Sequence, residues 1–424
     1  MTLNEAAVTE LRAEFPALQQ TAGGRPLIFL DGPGGTQVHG TVIEAMKRYL
    51  TDANSNVHGA FLYSQRTDDT VDAAREAMAD LLNAARPEEI VFGPNMTSLT
   101  FSLSRAIGRT LSPGDEVVVT RLDHDGNIAP WLSLQEQGAI VRQVDFDPGD
   151  CTLDMAGLEE AITPRTRIVA VGYASNAVGT INDLPRVIEL ARAARAWVYV
   201  DAVHYAPHGP IDVQTLGCDF LVCSVYKFFG PHQGVLYGRY NLLESLPAYK
   251  VRPADDAPPH KFETGTQSFE AMAGTIAAVD YLASVGRRFG GEFEVQFPDF
   301  EGRHLDLKTA MAAIRSYERG LCHHLVGGLQ EIPGLRIYGI TDPQRFDQRV
   351  PTVAFTMEGL SPDEIAQRLS EANIFSWNGN FYALAVTERL GLEGKGGLLR
   401  VGLAHYNTAE EVDVLLGVLG DMPR

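Results

Sequence analysis

Lys227 follows the apolar run Phe220-Leu221-Val222-Cys223 and precedes Phe228-Phe229-Gly230-Pro231. An unpaired ammonium among such flanks is costly. Most lysines are simply solvated; one kept in an apolar setting has a lowered pKa or a covalent role, such as a Schiff base. Asp201 ends the run Trp197-Val198-Tyr199-Val200. A carboxylate at the carboxyl end of a buried strand points into a crevice, where it is either a helix cap or a counter-ion for a protonated ring nitrogen. Thr97 and Ser98 lie in Pro94-Asn95-Met96-Thr97-Ser98-Leu99, at a strand-to-helix junction. Hydroxyls and free N–H groups there make an anion site or a plain N-cap. His124, in Asp123-His124-Asp125-Gly126-Asn127, offers a flat ring for stacking, or is a loop residue. His204 and His208 are four apart, but Pro207 argues against one helix carrying both, so no metal is expected.

These residues need a scaffold of alternating strands and helices. Apolar runs at 89–92, 116–120, 140–144, 167–171, 197–200, 220–223 and 234–237 read as strands. Between them, Leu99, Leu103, Ala106 and Ile107 recur at helical spacing, Asp154 precedes a helix with Leu158, Ala161 and Ile162 in register, and 184–195 is helical. The pattern predicts a mostly parallel sheet covered on both faces, with chemistry at the strands' carboxyl ends. Later, a long helix at 300–329 precedes strands at 353–356 and 398–403, with capping boxes at Ser361-Pro362-Asp363-Glu364 and Thr408-Ala409-Glu410-Glu411. The expected division is an N-terminal segment 1–25 packing with the small domain, a large α/β domain 26–290, and a small α+β domain 291–424.

The chain has 424 residues, 45% hydrophobic and 21% charged, an ordinary globular composition. Acidic residues number 54 against 35 basic ones, a formal charge of −19, which opposes binding to nucleic acid or an anionic membrane. Neither a secretory signal nor a transmembrane run is expected. Four cysteines, Cys151, Cys218, Cys223 and Cys322, spell neither a disulfide framework nor a zinc ribbon, and a reducing, cytoplasmic setting is the expectation.

A strand-end Asp, a strand-end Lys, an aromatic stacker and a hydroxyl-rich helix start are what pyridoxal 5'-phosphate needs. With them the chain resembles the class V aminotransferase group of fold type I pyridoxal phosphate enzymes, and within it the cysteine desulfurases and selenocysteine lyases. The resemblance runs from Phe29-Leu30-Asp31 to the segment Tyr406 through Val412. It implies that Lys227 carries the cofactor covalently, that Asp201 pairs with the pyridinium nitrogen, and that His124 stacks on the ring. It places Asn176, in Ser175-Asn176-Ala177-Val178-Gly179, near the cofactor phenol oxygen and the substrate carboxylate. His204 occupies a slot that holds Gln in desulfurases and would bond the same oxygen. Thr97 and Ser224 would hold the phosphate, with Ser98 and Tyr226 also among the cofactor-binding residues. Thr266, in Glu263-Thr264-Gly265-Thr266, resembles a phosphate contact donated across a homodimer interface. Arg400, in Leu399-Arg400-Val401-Gly402, would grip the substrate carboxylate.

Two departures shape the expected chemistry. Desulfurases carry a loop cysteine upstream of the Arg400 position, and residues 371–399 contain none. Cys322, beside His323 and His324, lies outside that loop. Tyr226-Lys227 replaces the desulfurase His-Lys pair and, with Asp201-x-x-His204, is similar to kynureninases. The expectation is a desulfurase-like lyase of the C–S elimination type acting on an amino acid. An epimerase, a transaminase, kynureninase-like β-carbon cleavage, and a non-enzymatic pyridoxal-binding regulator are the alternatives.

Overall fold

The structure, a computed structural model, describes residues 2–422. Its central sheet has seven strands, in the order Ile90–Gly93, Gly234–Gly238, Phe220–Ser224, Trp197–Asp201, Thr166–Gly172, Glu116–Thr120, Ile140–Val144. The last five pair in parallel, and Gly234–Gly238 runs against both of its neighbours. The strand pattern read from the apolar runs is thus present, with ends shifted by a residue or so.

Alternation along each strand splits the core between the two faces. Val118, Val169, Val198, Val200 and Leu221 pack on one side. Val117, Val119, Ile168, Tyr199 and Val222 pack on the other. Burial on both faces explains why these strands read as continuous hydrophobic runs. The edge strand Ile140–Val144 is the exception and stays partly exposed. Helices start where polar caps allow. Asn95 accepts from the Ser98 N–H at the head of Met96–Gly108, which buries Leu99, Leu103, Ala106 and Ile107. Asp154 and Asp183 cap Met155–Ala161 and Leu184–Ala193 in the same way.

A second, antiparallel sheet follows, in the order Leu335–Tyr338, Thr352–Met357, Leu398–Gly402, Trp377–Gly379. Both expected capping boxes form, at Ser361 with Glu364 and at Thr408 with Glu411. The helix Gly302–Gln330 serves two cores. Leu307, Met311 and Ile314 join the large core, and Leu321, Leu325 and Leu329 join the C-terminal one. The N-terminal segment divides its contacts too. Val8, Leu11 and Phe15 pack into the large core, while Arg12 reaches Glu411 at 2.8 Å. Strand Ile28–Phe29 pairs in parallel with Ile374–Phe375 of the C-terminal unit. The Gly402 N–H donates to the Leu30 carbonyl at 2.8 Å, which brings Asp31 and Arg400 toward the carboxyl ends of the central strands. Among the described residues, no helix is long and apolar enough to cross a membrane.

Candidate active site

Asp201 is the last residue of its strand and is buried. Its Oδ1 accepts the Val203 N–H at 2.9 Å. Burial lifts its carboxyl to about 6, against the pull of that N–H and of Lys227. Lys227 ends the one-turn helix Val225–Lys227, directly after strand Phe220–Ser224. Burial, then the nearby Arg400 charge, pushes its ammonium down to about 7, while Asp201 and Asp31 oppose the shift. Its Nζ donates to the Pro33 carbonyl and lies 4.9 Å from the Tyr226 ring centre. A lysine so placed is neutral for a large share of the time near pH 7, as a nucleophile or base requires.

Asp201, Ser224, His204 and Lys227 line an enclosed cavity of about 100 Å³. Thr97, His124, Asn176, Tyr226 and Lys227 line both it and a larger cavity of about 930 Å³, into which Arg400 also faces. His124 Nδ1 accepts the Gly126 N–H at 2.9 Å. Burial and the Lys227 and Arg400 charges press its pKa to about 4, so the ring is neutral. His204 is likewise held neutral by burial, with Nε2 at 2.9 Å from the Thr352 hydroxyl. Arg400 is buried, and its guanidinium donates to the Asn176 carbonyl at 2.6 Å and lies 4.1 Å over Phe381. Burial draws its pKa to about 9, which leaves it cationic at neutral pH. Ser224 Oγ, Asn176 Oδ1 and Arg400 Nε are buried without a hydrogen-bond partner among the described residues. Such orphans are costly unless a ligand meets them.

Not every expected residue joins this cluster. Ser98 is exposed, and its N–H is taken by Asn95 at 2.8 Å; it lines neither cavity. Thr266 is exposed beside Gly265 and lines a separate pocket with His58 and Gln267. His204 and His208 sit in a turn, and His208 pairs with Glu318 at 2.7 Å. Among the described residues no group of three metal-type side chains gathers.

Other residues escaped the sequence reading. Asp123 is buried and accepts from Thr120, Asn127 and the Gly172 N–H at 2.8 to 2.9 Å; burial lifts its carboxyl to about 7. Asp31 has its carboxyl raised by burial and feels both Arg400 and Lys227. Phe381 was hidden in a loop with no periodicity. Gly34 does leave a signal, the run Gly32-Pro33-Gly34-Gly35. A Cβ at Gly34 would lie 2.2 Å from Trp377 Nε1, so the turn and the strand that carries Trp377 touch here without room for a side chain.

Comparison with known proteins agrees with this geometry. The model of the aminotransferase class-V family matches residues 28–290 and 303–415. A cysteine desulfurase from Synechococcus elongatus is 34% identical over an alignment of 428 positions that covers 97% of this chain and 63% of the relative. One from Pectobacterium atrosepticum is 30% identical over 97% of each chain. This chain spans 64% and 63% of the length of the first two curated relatives it matches. The apo structure of a cysteine desulfurase from Thermococcus onnurineus superposes with a TM-score of 0.84 and 26% identity over 97% of each chain. The architecture is that of fold type I, and the family's cofactor is pyridoxal phosphate. The site suits that group: a buried carboxylate and amine, a neutral imidazole face, and buried hydroxyl and amide oxygens without partners. From the large parallel sheet to the strand that carries Arg400, this chain belongs to the aminotransferase class-V family.

Proposed function

We propose that this chain is a pyridoxal phosphate-dependent, cysteine desulfurase-like lyase that eliminates a β-sulfur substituent from an amino acid without passing the sulfur to a cysteine of its own. The carrying observation is the placement of the thiols. Cys151, Cys218, Cys223 and Cys322 are all free and buried. Burial pushes Cys151 and Cys218 up to about 12 and raises Cys223 and Cys322 as well. Persulfide formation needs an accessible thiolate beside the substrate sulfur. The wall that faces the larger cavity, residues 377–397, holds no cysteine. Four buried, free thiols also suit a reducing, cytoplasmic setting.

The cofactor, when bound, supplies an electron sink for the charge left at the substrate α-carbon. The chain does the rest. Lys227 would anchor the cofactor, and its Nζ would take the α-proton. Asp201 would keep the ring nitrogen protonated. Thr97 and Ser224 would hold the phosphate, His124 would cover the ring, and Asn176, His204 and Tyr226 would line its surroundings. Arg400 grips the α-carboxylate, with Phe381 and the Asn176 carbonyl setting the guanidinium plane. The Cα–H and Cβ–S bonds break, the sulfur leaves as a thiol, and the unsaturated amine hydrolyses to ammonia and a 2-keto acid. A second copy's Thr266 completes the phosphate site in a homodimer. Kynureninase-like cleavage is the second reading, favoured by Tyr226 beside Lys227 in the cavity wall.

Single turnover of the holoenzyme with cysteine, followed by intact-protein mass analysis, tests this. The expected result is sulfide, ammonia and pyruvate with the protein mass unchanged. A stoichiometric persulfide with alanine as co-product overturns it. Turnover of kynurenine but not of any β-thio amino acid favours the second reading.

A further inference from the structure

Beyond Lys227 and Arg400 the site opens into a cavity that the cofactor shares with the substrate. The outer cavity holds about 930 Å³, within the ~300–1,000 Å³ of sites for small organic ligands and roughly thirty times the ~30 Å³ share of one water molecule. Cysteine extends one sulfur past its β-carbon. The outer wall is aromatic. Trp377 is 49% exposed and Tyr382 74% exposed, and both line the cavity. Large apolar side chains grouped at the mouth of a cavity mark a binding surface.

The same wall carries backbone strain. Phe381 and Tyr382 both have φ of 57°, a left-handed region that bulky residues avoid. The Asp125 N–H donates to the Tyr382 carbonyl at 2.6 Å, and the Tyr382 N–H donates to Asn380 Oδ1 at 3.1 Å. These bonds hold Tyr382 over the cavity, its ring 23° from the plane of His124 and 5.6 Å away between centres. Strain kept in place at a site's edge points to function. The charge pattern is equally one-sided. Arg400 is the cation of the cavity wall beside Lys227, whereas the carboxylates of Asp125 and Glu393 line the same cavity.

We propose that the substrate is an amino acid whose β-sulfur bears a planar, apolar group that packs against Trp377 and Tyr382, and that the acidic rim refuses an anionic one. The inference rests on the reading of Lys227 and Arg400 as the reacting end, and it sharpens the substrate class of that reading.

Binding is measured apart from turnover by using α-methyl amino acids, which have no α-proton to lose. Calorimetry on the holoenzyme should find α-methylphenylalanine bound at least about tenfold more tightly than α-methylserine or α-methylaspartate. Tyr382→Ala and Trp377→Ala should each reduce that preference about two- to tenfold. Tyr382 is exposed, so its truncation leaves the core untouched. Equal affinities, tighter α-methylaspartate, no binding of any of the three, or a preference unchanged in both variants would each overturn the proposal. S-phenylcysteine and S-carboxymethylcysteine then separate this proposal from the lyase reading. Aromatic preference without thiophenol release sinks the lyase reading alone. Sulfide release from cysteine with no aromatic preference sinks this inference alone.

Discussion

Lys227 and Tyr382 stand at opposite ends of one cavity and are held by opposite means. Lys227 sits at the end of a central strand whose residues are all buried, and Asp201 ends the neighbouring strand. Their positions follow from the sheet and cannot shift without disturbing the core. Tyr382 lies in an irregular loop, mostly exposed, with its backbone held in the left-handed region by local hydrogen bonds. In the proposed function the inner end does the chemistry and the rim does the selecting. This division, reaction from strand ends and selection from loops, is general to open α/β sheets.

The comparison breaks if the inner end is dispensable. Lys227→Ala should lower turnover by about 10²–10⁴-fold, and borohydride should attach the cofactor to Lys227 in the parent protein but not in the variant. A variant that keeps the native bound-cofactor spectrum sinks the assignment. The next effect concerns protonation. In the cofactor-free chain burial pushes the Lys227 ammonium down to about 7. The neutral amine is the reactive form, so its labelling by an acylating reagent should rise with pH and reach half its maximum near pH 7. Arg400 contributes to the depression, so Arg400→Ala should move the midpoint upward. A midpoint near 10 in the parent would show that Lys227 is solvated.

Arg400→Lys tests the grip on the carboxylate. A lysine cannot reproduce two parallel N–H bonds, so kcat/KM should fall about tenfold or more, ~1.4 kcal/mol of transition-state binding. Unchanged kinetics with an intact cofactor spectrum would remove Arg400 from the role. The smallest effect sharpens the boundary between the two regions. Phe381 belongs to the loop but lies over Arg400. Phe381→Leu removes the ring face while keeping bulk, at a cost of about 0.5–2 kcal/mol, read as a severalfold rise in KM with kcat nearly constant. A fall in kcat instead would place Phe381 with the reacting groups.

Much of the inner end was legible from residue order. Strands buried on both faces must read as apolar runs, so Asp201 and Lys227 stood out as polar residues at their ends. Asp154 was legible as a cap because capping uses the residue's own next turn. The same locality says less about Ser98, since a hydroxyl at a helix start can face the ligand or the solvent and spacing does not separate the two. The Gly-rich turn after Asp31 could have signalled a close approach, but not to what.

What the sequence by itself determined was the alternation of strands and helices, the polar residues that end them and the lack of a cysteine before Arg400. These are properties of short segments, set by periodicity and by which side chains water will not release cheaply. The tertiary structure alone decided that Asp31, Asn176, Phe381 and Arg400 converge on Lys227, that the four thiols are sealed away, and that Trp377 and Tyr382 form one aromatic rim. The convergence depends on residues far from Lys227 in the chain meeting it across the two sheets. Burial and mutual charge exist only once they meet, so no local pattern could have carried them.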